Sequence, residues 1–170
     1  MFKKNELVMY GGTGVCKVVD IGRPDFSDSD EQLYYFLEPI YQQGIIYAPV
    51  DNEKISMRPV ISADEANALI DSIDDIHAEI YKSSSMQQLS QHYQDIISSY
   101  SCHSLLKLAK SIHAKDTEAQ KHNKKLGQID KRFMKRAEDL LFGEFAAALK
   151  MDKERIADYI HGKLERTANR

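Results

Sequence analysis

The chain has 170 residues, 42% of them apolar and 29% charged, which allows one or two small domains with a core and excludes a disordered chain. No run of about 18 apolar residues occurs, so no membrane-spanning helix is expected, and the opening residues lack the apolar stretch and cleavage site of a signal peptide. The net charge of −3 conceals an uneven spread: residues 1–62 hold six Lys/Arg against nine Asp/Glu, whereas Lys107 to Arg136 hold ten against three.

The first sixty residues read as strands. Leu7-Val8-Met9-Tyr10 and Val15 to Ile21 are rich in β-branched and aromatic residues, and Gly11-Gly12-Thr13-Gly14 lies between them. A P-loop would need four residues between its glycines and then Gly-Lys-Ser/Thr, and a dinucleotide loop would have to open a helix. Here Val-Cys-Lys follows Gly14 and a strand comes next, so the cluster is expected to turn a hairpin. Arg23 to Glu31 is a polar loop with three aspartates and a glutamate. Leu33 to Glu38 and Gly44 to Val50 give two further strands around a Tyr41-to-Gly44 turn, and Asp51 to Pro59 closes the unit. Strands this short, at this spacing, predict a small antiparallel barrel over residues 1–60.

The period changes at Ser62. Ser62 and Glu65 form a capping box, and Ala66, Leu69, Ile70, Ile73 and Ile80 recur at helical spacing. A break at Ser83-Ser84-Ser85 precedes a second helix marked by Leu89, Tyr93, Ile96 and Ile97. Leu105, Leu106, Leu108, Ala109 and Ile112 mark a third. After a loop at Leu126 to Gln128, the apolar positions from Ile129 to Leu149 mark a fourth, and Asp152 is placed to cap a last helix to about Leu164. The expected class is α+β: an antiparallel β-barrel over residues 1–60, then an all-helical domain over 61–170. The basic excess from Lys107 to Arg136 has two readings, contact with a polyanion or a solvated helix face.

Catalytic and metal-binding signatures are missing. None of the six histidines forms HExxH or pairs with cysteine at zinc spacing. Cys16 and Cys102 are far apart and fit two free thiols in a reducing cytoplasm. Asp25, Asp28 and Asp30 lack the glycine and closing glutamate of a calcium loop. No enzymatic activity, cofactor or metal is expected, although a pocket gathering His92, His103 or His113 with carboxylates would reopen the question.

Taken in order, several segments resemble the CarD/CdnL family of bacterial transcription regulators. MFKKNELVMYGGTGVCKVVDI is similar to that family's opening F-x-x-G-D-x-V-V-Y-P-x-H-G-V-G. YYFLEP, IYAPVDN and KISMRPVIS stand where it has a strand, V-x-V-P-x-x-N and G-L-R-x-V-I, and LGQIDKRFMKRAEDLLFGEFAAAL is similar to its C-terminal helix. The resemblance implies a Tudor-like barrel, shared with the transcription-repair coupling factor, that binds the RNA polymerase β subunit. It also implies a helical domain lying on promoter DNA at the upstream edge of the melted region, stabilising the open complex.

On that resemblance Ile45, Ile46 and Tyr47 fall on the polymerase-binding edge strand, with Arg23 in a neighbouring loop. Tyr47 stands where a relative often carries arginine. The family's W-x-x-R-Y, whose indole wedges at the melted DNA, is matched here by Ser83 to Tyr93, without tryptophan and without a basic residue between Lys82 and Lys107. Met86 falls nearest the wedge. Lys131 matches a family lysine, with Arg132 and Lys135 after it and Lys124 and Lys125 before it. The expected function is a polymerase-binding regulator with weak or altered DNA contact. A second reading is an adaptor, or a competitor of a more typical paralogue, whose helices bind another protein.

Overall fold

A computed structural model describes residues 1–28 and 31–168, the last four of these by backbone alone; Asp30 of the acidic loop lies outside the described residues. The chain divides into two compact units, Met1–Val60 and Ile61–Arg170.

In the first unit, β1 (Leu7–Tyr10) and β2 (Gly14–Gly22) form an antiparallel hairpin around a single 3-10 turn, Gly11–Thr13. Glycine is required here: Gly11 has φ +44° and Gly14 φ +93°, and a Cβ on Gly11 would lie 2.8 Å from Ile55 Cγ2. The glycine cluster therefore turns the chain, and no helix N-terminus follows it to face a phosphate. β3 (Tyr34–Pro39) pairs with β2, β4 (Ile46–Pro49) with β3, and β5 (Met57–Pro59) returns to pair with β1. The order is β4-β3-β2-β1-β5, antiparallel throughout.

The expected barrel is not reached: the sheet is open, with β4 and β5 as its two edges. Closure needs the outer strands to hydrogen-bond each other across a staggered register. These two have four and three residues and each ends in a proline without an N–H, so they offer little to pair with.

Side chains alternate across the strands. Val8, Tyr10, Cys16, Val18, Tyr35, Leu37 and Ala48 form the buried core of one face, with Phe2, Ile21, Ile46, Val50 and Met57 packed around it. Val19 is an extra residue in β2: Val18 pairs with Leu37 and Asp20 with Phe36, a bulge that re-aims the strand.

The described residues of the second unit form five α-helices: α1 (Ala63–Asp71), α2 (Met86–Ile97), α3 (Cys102–Lys121), α4 (Gln128–Leu149) and α5 (Ile156–Ala168). Ser62 accepts from the Glu65 N–H and Glu65 accepts from the Ser62 N–H, completing the capping box of α1. Ser85 and Ser101 cap α2 and α3 through their hydroxyls. Asp152 makes no side-chain cap; a 3-10 turn, Lys153–Arg155, leads into α5.

The apolar spacing through Ile73 and Ile80 predicts more helix than exists. α1 stops at Asp71, and after a 3-10 turn at Ile73–Asp75 the chain runs without regular structure to Ser85. Side chains of α3 take over its backbone bonding: the Lys110 ammonium donates to the Ile73 and Ile76 carbonyls, and the Ser111 hydroxyl to the Glu79 carbonyl. Long-range partners thus replace the i−4 bonds that helix would have supplied. Buried Tyr93, Ile97, Leu105, Ile112, Phe133, Leu141, Phe145 and Ile156 form the centre of this unit.

Candidate functional site

Two exposed surfaces, one in each unit, collect most of the residues singled out by sequence; Ile46 and Met86 are the exceptions. The first lies along β4. Val50 donates its N–H inward to the Leu33 carbonyl at 2.9 Å. Because N–H directions alternate along a strand, Ala48 and Ile46 also face β3, whereas Pro49 and Tyr47 face away. Pro49 has no N–H, so Tyr47 supplies the outward backbone donor of β4.

Ile45, Ile46 and Tyr47 have three different environments. Ile45 is exposed just ahead of the strand. Ile46 is half-buried and packs on the sheet core. Tyr47 projects from the opposite face, across from Phe36 in the β3–β4 register. There the rings of Phe36 and Phe26 each meet Tyr47 edge-on at 5.0 Å, and Phe26 also meets Tyr34 at 6.0 Å. These T-shaped contacts fix a four-ring cluster, with Phe26 60% and Tyr47 42% exposed. Arg23 is exposed in the loop that carries Phe26.

Residues 2–61 match the model of the CarD-like/TRCF RID domain. No curated protein matches the chain. This RID-like segment comprises the whole five-stranded sheet, so both the β4 edge and the aromatic cluster fall within it. It ends where α1 is about to begin, and the helical unit lies beyond it.

The second surface runs from the end of α3 into α4. Lys121, Lys124, Lys125, Lys131, Arg132 and Lys135 are all exposed. Residues 121–135 contain one acid, Asp130, and it is turned inward at 4% exposure. There it accepts from the Tyr93 hydroxyl at 2.6 Å and from Lys115 Nζ at 3.0 Å, fastening α4 to α2 and α3. Burial, then the hydrogen bond and charge of Asp130, push the Tyr93 phenol well above its ordinary range. With Asp130 withdrawn, the charged groups this stretch offers to solvent are all cationic. Lys131 and Lys135 share one helix face, and the Arg132 guanidinium lies 5.0 Å from the Phe133 ring centre.

Other cations of the basic stretch are used internally. Lys110 binds backbone carbonyls, Lys115 binds Asp130, and Arg136 donates to Gln94 at 3.1 Å. Met86 is the first residue of α2 and is 70% exposed.

His92 stacks on Tyr81 with ring centres 3.7 Å apart and shares a groove with His77, Glu79, Ser104 and Lys107; His103 and His113 do not line it. Among the described residues no group of three or more His, Cys, Asp or Glu is placed to hold a metal ion. Cys16 and Cys102 are both buried thiols outside any disulfide. No described helix is long and apolar enough to cross a membrane.

Sequence reading missed the roles of Phe26, Tyr34 and Phe36. A phenylalanine in an acidic loop carries no periodic signal, and only tertiary packing brings it to the strand. The inward turn of Asp130 was equally hidden, since its partners are 37 and 15 residues away.

Proposed function

We propose that the protein is a transcription regulator that binds RNA polymerase through its RID-like sheet. The observation that carries this reading is the match of residues 2–61 to the CarD-like/TRCF RID domain, and β4, an edge strand among the described residues, gives it a physical route. A partner strand can add to such an edge, with main-chain bonds giving affinity and alternate side chains giving specificity. The partner on this reading is the β subunit, engaged in the cytoplasm, and the sheet is a Tudor-like module left unclosed. The helical unit then touches promoter DNA weakly through Lys124, Lys125, Lys131, Arg132 and Lys135 and modulates the open complex, with Met86 as a poor wedge. Binding suffices for this role and no catalytic step is needed.

Pull-down of a polymerase β-lobe fragment by the full chain tests the reading. Capture at micromolar concentration is expected, and no capture at that concentration overturns it. The adaptor reading draws on a specific observation: Lys110, Lys115 and Arg136 are engaged inside the helical unit, and no basic residue lies between Lys82 and Lys107. An adaptor leaves open-complex lifetime unchanged at low salt, where a DNA-contacting regulator lengthens it.

A further inference from the structure

Resting on the polymerase-binding reading, we infer that the aromatic face beside β4 recognises a cationic side chain, lysine or arginine, on the strand that adds to this edge. Three observations converge on that chemistry.

The first is register. Tyr47 presents both its N–H and its carbonyl away from β3, so an added antiparallel strand bonds to Tyr47 as a hydrogen-bonded pair. The partner residue opposite it has its Cα about 5.5 Å away and its side chain on the same face as the Tyr47 ring. Pro49 has no N–H, so this pair is the fixed point of the docking.

The second is the receptor at that point. Tyr47, Phe26, Phe36 and Tyr34 form one contiguous cluster, held by perpendicular ring contacts. Phe26 and Tyr47 are its most exposed rings. Ring faces carry negative charge density and attract a cation within about 6 Å.

The third is charge. Among the described residues, Asp20, Asp25, Asp28, Glu31 and Glu38, against Lys17 and Arg23, are the exposed charged groups of β2, of the strands β3 and β4 and of the loop that carries Phe26. Asp20 lies across from Phe36, and Asp25 and Asp28 flank Phe26 in sequence. An acidic rim raises the local concentration of a basic partner and disfavours an acidic one.

The test measures binding of the full-length protein to RNA polymerase core enzyme from the same organism, with circular dichroism as a check on folding. Tyr47→Leu keeps apolar bulk and removes the ring, and a loss of about 3- to 30-fold in affinity is expected, with Tyr47→Phe within about 2-fold of wild type. A photo-crosslinking residue at position 45 then maps the partner strand, and replacing its lysine or arginine by methionine should cost a similar factor that does not add to Tyr47→Leu. Wild-type affinity for folded Tyr47→Leu, full additivity, or a mapped strand without a cation would overturn the inference while leaving polymerase binding intact. Failure of the wild-type protein to bind would instead remove the functional reading beneath it.

Discussion

Cys16 sits in the middle of the sheet core and is fully buried, among Val8, Val18 and Leu37. Burial pushes its thiol from 9.0 up to about 11, because a thiolate there has no water around it. The folded value is the raised one, so the contribution is complete below pH 9 and is lost as pH rises toward 11. The effect is at most about 3 kcal/mol across that window. Urea midpoints of the protein should fall between pH 9 and pH 11. Cys16→Ala should be less stable at pH 8 but show a shallower fall, and parallel pH profiles for the two proteins would refute the assignment. At the opposite extreme of visibility stands Asp130. Its sequence neighbours are basic, and nothing local shows that its carboxylate points inward to Tyr93 and Lys115.

Among the elements, the β1–β2 hairpin was legible because two β-rich runs flank glycines whose positive φ only they tolerate cheaply. Gly11→Ala should cost about 1–2 kcal/mol for its backbone conformation alone. The collision with Ile55 adds to that cost, and thermal unfolding of the folded variant measures the sum. A melting temperature equal to wild type would show that the turn relaxes without penalty. The helical half was legible where caps and periodicity agree, as at Ser62 and along α4. It misled between Ile73 and Ile80, where apolar spacing continues but Lys110 and Ser111 bind the backbone from another helix. Barrel closure was misjudged for a related reason. Strand count and turn spacing are local, whereas closure depends on how the outermost strands meet, and here both are short and end in proline.

For the whole molecule, charge counting needs the fold. Ten basic residues lie between Lys107 and Arg136, yet Lys110, Lys115 and Arg136 serve the interior. The exposed strip from Lys121 to Lys135 is what a polyanion would meet. If it contacts DNA, Lys131→Glu with Lys135→Glu should weaken binding to a promoter fragment. The same pair should flatten the plot of log affinity against log salt by roughly 0.9 for each phosphate left without its cation. An unchanged slope would assign the strip to solvation.

Both rims of the sheet stop almost as soon as they start, at Pro49 and at Pro59. A second copy laid along either rim runs out of amide hydrogens within a few residues, so the chain is a poor seed for fibres despite its exposed aromatic rings. The same brevity makes any visiting segment depend on a single well-anchored side chain more than on the length of its ladder.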